Sequence, residues 1–236
     1  MKLNKLIAIA TISLLSGGIS MAQKALNLED IVAGNIIQTK GIGSMTWLKD
    51  GERYSRLENN KQTGGTDIVA YRAKDNSREV IIPSSLLTDK STGRPIPVRS
   101  VSWSADNEKI LIYNNTRRVW RYDTRGDYWV LNLKDGALRQ LGKGMPESSM
   151  MFAKFSPDGT RVAYVSNNNI YVEDIDSGKI TQLTKDGSDT IVNGTFDWVY
   201  EEEFSCRDGF RWSPDGKHIA YWQSDTKGTG VFDTIN

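Results

Sequence analysis

The chain has 236 residues, with 30 Lys and Arg against 29 Asp and Glu, so its formal net charge is only +1. A balanced charge gives no electrostatic basis for binding nucleic acid or an anionic membrane surface. A single cysteine, Cys206, excludes an intrachain disulfide. One His and one Cys without a spaced set of further ligands give no basis for a metal site, and no motif indicates a cofactor.

The first 22 residues have the pattern of a secretory signal peptide. Lys2 and Lys5 precede the apolar run 6–15, and the segment ends at Ala22 after small and polar residues. The apolar run is short and interrupted by Thr and Ser, which disfavours the alternative of an uncleaved anchor. We therefore expect cleavage after Ala22, export to a periplasm or the outside, and no stable membrane anchor.

A lead-in segment, residues 23–43, precedes the rest of the chain and contains Leu28–Val32, a candidate helical turn. A repeated turn then organises residues 44–236, in which an aromatic residue is followed three positions later by Asp and then by Gly or Asn. The four copies are Trp47–Gly51, Trp103–Asn107, Phe155–Gly159 and Trp212–Gly216. Their Asp residues are separated by 56, 52 and 57 positions. A period in this range indicates a repeat architecture.

Short strands with alternating apolar residues follow these turns. The third repeat is the clearest and predicts strands at Arg161–Ser166, Asn169–Asp174 and Ile180–Thr184. Four antiparallel strands in each unit of about 50 residues are typical of a β-propeller blade. A β-sandwich with similar hairpins is the alternative. We predict an all-β fold, an incomplete β-propeller of about three and a half four-stranded blades, and hence part of a larger protein.

The segment Asp197–Phe204 interrupts the strand pattern and predicts a short helical insertion. It places three adjacent carboxylates, Glu201, Glu202 and Glu203, between large aromatic residues. An acidic surface turn with a packed Trp is the simplest interpretation. The alternative is that the acids face a cation in a partly dry site, because long Glu side chains can converge there although neighbouring helical residues diverge by about 100°.

The run Asp197–Glu203 is similar, letter for letter, to the acidic motif of the dipeptidyl peptidase IV family of serine exopeptidases. The following Arg211–Gly216 is similar to the family's next blade. Upstream, Trp120-Arg121 followed by Tyr128–Leu133 resembles a family segment whose Arg faces the same cavity. The resemblance covers most of residues 28–236.

The resemblance implies a two-domain enzyme in which an N-terminal propeller covers a C-terminal α/β-hydrolase domain with a Ser-Asp-His triad. Such enzymes release dipeptides from peptide N-termini and prefer Pro or Ala in the second position. The implied partners are peptide substrates with a free N-terminus and the hydrolase domain, and a homodimer is a further possibility for the full-length protein.

By resemblance, Glu202 and Glu203 would bind the substrate's α-ammonium, and Arg121 would contact a substrate carbonyl oxygen or position the acids. Three residues of the same segment would support this cluster: Trp198, Tyr200 and Glu201. Three other arginines lie near enough in sequence to compete for the role of Arg121: Arg117, Arg118 and Arg125.

The sequence departs from the family in its catalytic part. It contains no Gly-x-Ser-x-Gly nucleophile elbow, and His218, its only histidine, lies in a strand-like run where we expect it to be structural. We therefore expect no catalytic residue in this chain, no hydrolase domain, and no hydrolysis by the chain alone. The alternative function is that of a non-catalytic exported propeller that binds a peptide or protein partner.

Overall fold

A computed structural model of the chain describes residues 27, 28, 32, 41 and 43–230. The chain divides into two compact units, residues 1–42 and residues 43–236, and the strands among the described residues belong to the second. The predicted signal peptide lies outside the described residues. Of the candidate helical turn, the described ends Leu28 and Val32 are both helical. The described residues include no helix that is long and apolar enough to cross a membrane.

The second unit contains three four-stranded antiparallel sheets, each made of consecutive strands paired in chain order. The first sheet comprises β1 (Met45–Trp47), β2 (Arg53–Asn59), β3 (Thr66–Arg72) and β4 (Arg78–Ile82). The second comprises β7 (Ser100–Trp103), β8 (Lys109–Val119), β9 (Tyr122–Asn132) and β10 (Leu138–Gln140). The third comprises β11 (Met151–Phe155), β12 (Arg161–Ser166), β13 (Asn169–Asp174) and β14 (Ile180–Gln182). The predicted four-stranded blades are confirmed.

The first two sheets are joined by a 3₁₀ turn, Ser84–Leu87, and by a small hairpin of β5 (Thr88–Asp89) and β6 (Arg94–Pro95). A partial fourth blade follows the third sheet, as predicted. Its strands are β15 (Ile191–Asn193), β16 (Phe210–Trp212), β17 (Ile219–Tyr221) and β18 (Gln223–Asp225). They pair as β16 with β17 and β15 with β18. The predicted helical insertion is confirmed as α1 (Trp198–Phe204), which leaves the sheet between β15 and β16.

A Ser hydroxyl closes three of the four repeated turns. In the third blade Ser156 Oγ donates to Asp158 Oδ1 (2.6 Å) and accepts from the N–H of Arg161 (3.0 Å). The same pair of hydrogen bonds occurs at Ser104 and Ser213. The hydroxyl hydrogen bond is the main cause that lowers the pKa of Asp158 to about 2. The repeat is visible in the sequence because this local bonding requires the same residues each time.

Strands β12 and β13 begin and end where the sequence predicts, and their two-residue turn has positive φ at Asn167 (48°) and Asn168 (58°), as a tight hairpin requires. Strand β14 ends two residues earlier than predicted. The reason is that the N–H of Ile170 donates to Thr184 Oγ1 (3.0 Å), so a side chain ends the ladder. His218 also differs, because it lies in the turn before β17 and not within a strand.

The hydrophobic core lies between successive sheets. Ile68 of the first sheet shares a cluster with Ile110 of the second, and Val130 of the second shares one with Tyr164 of the third. Phe210 of the partial blade belongs to a third cluster with residues of β12 and β13. Fully burying one such side chain stabilises the fold by about 1.5–3 kcal/mol. Each blade is therefore fixed by its neighbours, and the third blade supports the one that carries α1.

An ion pair reinforces the contact between the second and third sheets. Glu173 is buried, and its carboxylate lies 3.3 Å from Arg139 Nη2 and accepts a hydrogen bond from the N–H of Gly142 (2.8 Å). Burial raises the pKa of Glu173, although both partners oppose this effect. The pair joins the last strand of the second sheet to β13 of the next sheet.

The chain leaves the partial blade to form α1 and then returns to it. At this place, which we call the root of α1, the backbones of Gly194, Gly209 and Trp222 lie in close contact. The N–H of Gly194 donates to the carbonyl of Trp222 (2.9 Å), and the N–H of Gly209 donates to the carbonyl of Gly194 (3.1 Å). The N–H of Trp222 donates in turn to the carbonyl of Gly209 (2.9 Å). A Cβ on Gly209 would lie 2.9 Å from the backbone of Gly194 and Thr195, so only glycine fits there.

We predict that Gly209→Ala lowers the free energy of unfolding by about 1–3 kcal/mol, because the new methyl group would clash with the backbone of Gly194 and Thr195. Gly228→Ala is the matched control, since a Cβ there meets nothing within 4 Å, and its effect should stay within about 0.5 kcal/mol. Urea denaturation of the two variants measures the difference. Equal stability of the two variants would contradict the close approach at the root.

Candidate functional site

Helix α1 is fixed by hydrogen bonds at both ends. Asp197 is its N-cap, and the Asp197 carboxylate accepts from the N–H of Tyr200 (3.2 Å), a bond that typically stabilises a helix by about 1 kcal/mol. The helix ends at Ser205, which has a left-handed conformation with φ 50°, and the N–H of Cys206 then donates to the carbonyl of Tyr200 (3.0 Å). The sharp reversal returns the chain towards β16.

The three glutamates of α1 occupy different environments. Glu201 is buried, with 6% of its surface exposed, and the side chain of Glu202 is only 4% exposed. Glu203 is exposed. The divergence of consecutive helical residues explains this separation. We call the three glutamates, together with the arginines beside them, the acidic cluster. The structure therefore places the Glu202 side chain inside this cluster and Glu203 at its surface.

Arg121 lies at the tip of a hairpin that extends beyond its blade. Strands β8 and β9 pair with the outer strands only as far as Tyr113 and Trp129, so residues 114–127 form an arm with a two-residue turn at its tip. Trp120, the first turn residue, has a φ of 54°, a conformation that costs roughly 1–2 kcal/mol for a residue with a Cβ. The Arg118 guanidinium donates to the carbonyl of Arg121 (3.1 Å) and supports the turn.

The base of the arm is held to the next segment by side-chain hydrogen bonds. Asn115 Nδ2 donates to Asp127 Oδ2 (2.7 Å), and the N–H of Ser148 donates to Asp127 Oδ1 (2.8 Å). Ser148 Oγ also donates to the carbonyl of Asn115 (2.6 Å). Gly126 lies so close to the ring of Tyr113 that a Cβ would approach to 2.4 Å. The arm therefore leaves the blade in a defined direction.

The arm and α1 meet at an ion pair. Arg121 Nε lies 2.6 Å from Glu202 Oε2, and the Arg121 side chain is 75% exposed. Among the described residues, neither carboxylate oxygen of Glu202 has a hydrogen-bond donor, so charge and not an aligned hydrogen bond holds the pair. An unsatisfied buried carboxylate is costly. Of the four arginines singled out in the sequence, Arg121 is the one that the described structure pairs with Glu202.

Burial and two neighbouring charges act on the carboxyl group of Glu201. Burial raises the pKa of Glu201, the positive charge of Arg207 lowers it, and the negative charge of Glu202 raises it further. Glu201 Oε1 is buried and has no hydrogen-bond partner in the described part of the chain. Glu201 is thus a second carboxylate of the helix that is incompletely satisfied.

Arg207 belongs to the cluster, although sequence reasoning did not select it. Its guanidinium lies 4.0 Å from the ring centroid of Tyr122, directly after the arm tip. Its carbonyl accepts a hydrogen bond from Thr195 Oγ1 (3.2 Å). The only sequence signal is a positive charge shortly after the acidic run, and that is too common to identify a role.

The aromatic residues of the motif contact one another along one side of α1. Tyr200 stacks on Phe196 (5.3 Å between ring centroids) and lies 5.7 Å from Phe204, while Phe196 lies 6.0 Å from Trp222. Tyr200 and Trp198 both remain about half exposed. Tyr200 fixes the helix on the partial blade through Phe196 and Trp222, whereas Trp198 has no ring contact among the described residues. Neither residue contacts Arg121 through a ring interaction in the described part of the chain.

Cys206 and His218 lie outside the acidic cluster. Cys206 is a half-buried free thiol, and the N–H of His218 donates to Ser213 Oγ (2.9 Å) as part of the repeated turn. Within the described ranges, no group of three His, Cys, Asp or Glu side chains is arranged to hold a metal ion.

The family follows from a comparison with known proteins. Residues 104–235, which include the arm and α1, match the family model described as the dipeptidyl peptidase IV N-terminal region. The chain belongs to the dipeptidyl peptidase IV family. The predicted family resemblance is therefore confirmed.

The proteins similar to this chain include fungal dipeptidyl-aminopeptidases and a bacterial peptidase of known structure. The chain is 35% identical over 133 residues to a probable dipeptidyl-aminopeptidase B of Chaetomium globosum, covering 56% of this chain and 14% of that protein. It is 28% identical over 220 residues to the Aspergillus terreus protein of the same name, covering 89% of this chain and 24% of that one.

The crystal structure of Porphyromonas gingivalis dipeptidyl peptidase 4 matches with a TM-score of 0.72 and 26% identity, covering 86% of this chain and 28% of that one. This match confirms the predicted propeller portion. The chain spans about a quarter or less of the two fungal relatives' length.

We predict that Glu201→Gln raises the melting temperature at pH 7. Burial holds the folded-state pKa of Glu201 above its ordinary value of 4.5, so the folded state favours the protonated form and ionisation costs stability at neutral pH. A neutral Gln avoids that cost. The gain should disappear as the pH falls below 4.5, where Glu201 is itself protonated in both states.

Thermal unfolding at pH 7 and at pH 3.5 measures this difference. Glu79→Gln is the control, because Glu79 is an exposed glutamate of β4, and it should show no such gain. A Glu201→Gln variant that melts below the wild type at pH 7 would show that ionised Glu201 stabilises the fold.

Proposed function

We propose that this chain is the substrate-recognition propeller of an exported serine dipeptidyl aminopeptidase. In this proposal it binds the α-ammonium of a peptide whose second residue is Pro or Ala, and it controls access to the hydrolytic site. Membership of the family supports the reaction class, and the N-terminal pattern of residues 1–22 supports export.

The observation that carries the proposal is the buried carboxylate of Glu202. Both of its oxygens lack a hydrogen-bond donor among the described residues, and a native protein rarely leaves a buried polar group unsatisfied without a reason. An ammonium group supplies three N–H donors and a positive charge. It would therefore satisfy Glu202 in a way that the misaligned Arg121 guanidinium does not.

The charges of the cluster also fit a single cation. Arg121 pairs with Glu202 and the charge of Arg207 acts on Glu201, which leaves one negative charge of α1 uncompensated. Glu203 carries it at the surface, since no Lys or Arg of the described residues lies within ion-pair distance. We propose that an ammonium first contacts Glu203 and reaches Glu202 when the exposed Arg121 side chain moves aside towards a substrate carbonyl oxygen.

Recognition of a chain end explains why two carboxylates are useful. Charge-assisted hydrogen bonds are shorter and roughly twice as strong as neutral ones, and they fix the end of the peptide at a set distance from the scissile bond. Binding energy is then used for orientation. The sequence contains no nucleophile elbow, so we assign hydrolysis to a Ser-Asp-His domain that these 236 residues do not contain.

The second candidate that we propose is a non-catalytic exported propeller that binds a peptide or protein partner. The reading frame after Asn236 distinguishes the two. Further blades followed by a Gly-x-Ser-x-Gly elbow support the peptidase, and a stop codon in an intact genome supports the binding protein. Hydrolysis of an X-Pro substrate by the rigorously purified chain would overturn the assignment of catalysis to another domain.

We predict that the chain binds the tripeptide Ala-Pro-Ala, and that acetylation of its amino terminus weakens binding at least tenfold. Glu202→Gln and Glu203→Gln should each weaken binding of the free peptide by about 10–100-fold, the equivalent of one hydrogen bond to a charged group. Isothermal titration calorimetry measures the affinities. Glu79→Gln is the control for loss of an acidic side chain and should bind like the wild type. Equal affinity for the free and acetylated peptides would show that the chain does not recognise the α-ammonium group.

We also predict an alkaline limit to binding. The α-amino group of a peptide has a pKa of roughly 7.7–8.0, so affinity should fall by about tenfold per pH unit above pH 8 as the ligand loses its charge. Titrations between pH 6 and pH 10 test this. The acetylated peptide should show no such limit, and a limit shared by both peptides would attribute it to the protein.

A further inference from the structure

Arg207 lies where three parts of the chain meet. Its guanidinium stacks on Tyr122 of the arm at 4.0 Å, and its charge acts on Glu201 of α1. Its backbone belongs to the segment that returns from α1 to β16. The side chain is only half-buried, so it lies at the edge of this junction and not in the core.

The backbone of Arg207 is fixed independently of its side chain. The Arg207 carbonyl accepts a hydrogen bond from Thr195 Oγ1 (3.2 Å), which lies in the segment between β15 and α1. Thr195 also forms an isolated antiparallel β-bridge with Asp208. Ser205, with a φ of 50°, turns the chain two residues earlier. The root therefore presents Arg207 to the arm from a defined position.

The contact with Tyr122 places Arg207 next to the ion pair of the site. Tyr122 directly follows Arg121, and a guanidinium stacked on an aromatic ring is attracted to it by about 0.5–1 kcal/mol when partly exposed. Glu201 directly precedes Glu202. One side chain thus acts on the sequence neighbours of both members of the Arg121–Glu202 pair.

We infer that Arg207 is a positioning residue, which sets α1 against the arm so that Glu202 meets Arg121 and an ammonium can reach the acidic cluster. The effect on ligand binding rests on the proposed function, whereas the effect on the geometry of the arm and helix does not. Arg207 has no assigned contact with the ligand itself.

The groups that influence Glu201 come from three elements. Glu202 of α1 opposes its ionisation, while Arg207 of the returning segment and, more weakly, Thr124 of β9 favour it. Removing Arg207 leaves two adjacent carboxylates with Arg121 as their remaining cation. Both a stacking contact and a compensating charge are then lost at one junction.

Arg207→Met and Arg207→Lys in the full chain separate these two contributions. NMR titration of the Glu201 carboxyl carbon, assigned with Glu201→Gln, reports the charge. Amide shifts of the arm and α1 report the packing, and calorimetry with Ala-Pro-Ala reports binding. Arg211→Met is the control, because Arg211 is an exposed arginine of the adjacent strand β16 that pairs with Asp208.

We expect Arg207→Met to raise the pKa of Glu201, to shift amides on both the arm and α1, and to weaken peptide binding by about fivefold. Arg207→Lys should keep the wild-type titration but lose part of the affinity, because an ammonium does not reproduce the planar stacking of a guanidinium. Tyr122→Leu should resemble Arg207→Lys. Arg211→Met should change none of these quantities.

The outcomes distinguish this inference from the proposed function. If the wild type binds the free and acetylated peptides equally, the proposed function fails, while the titration and the amide shifts still decide the role of Arg207. If Arg207→Met keeps the wild-type titration and arm shifts, the inference is wrong. Should Arg207→Met not fold, wild-type amide shifts in both Arg207→Lys and Tyr122→Leu would overturn it.

Discussion

The arrangement around α1 depends on one electrostatic constraint: a carboxylate removed from water needs a positive charge beside it. The Glu202 side chain is only 4% exposed, and Arg121 supplies that charge from the tip of the arm. Neither residue could meet the other if the arm followed the outer strands of its blade or if α1 lay within the sheet. Both departures from regular blade structure serve this contact.

The blades make these departures possible. The sheets bury apolar residues between neighbours, and the Ser-closed turns repeat the same local bonding in three of the four blades. The two irregular elements are then fixed at their bases, the arm by Asp127 and Ser148 and α1 by the close backbones of Gly194 and Gly209. Local rigidity at the base therefore decides where a side chain lies at the tip.

The acidic cluster contains several groups that cost stability. Glu201 Oε1 and both oxygens of Glu202 lack partners among the described residues, and Trp120 has an unfavourable backbone conformation. Proteins tend to break local rules at functional sites and to compensate for the cost elsewhere. The binding role that we propose would give these features a common explanation, whereas the acidic surface turn considered from the sequence leaves the burial of the Glu202 side chain unexplained.

Features that depend on short-range hydrogen bonds could be predicted from the sequence. The turns around Asp158, the ends of β12 and β13, and the start of α1 at Asp197 follow from hydrogen bonds within a few residues, and the acidic motif identified the family. The tertiary structure alone decided the length of the arm, because residues 114–118 have no apolar alternation to mark a strand. It also decided that the Glu202 side chain is buried while Glu203 is exposed, and that Arg207 stacks on Tyr122 of the arm. Burial and charge compensation arise between segments far apart in the chain, and a linear pattern does not record which segments meet.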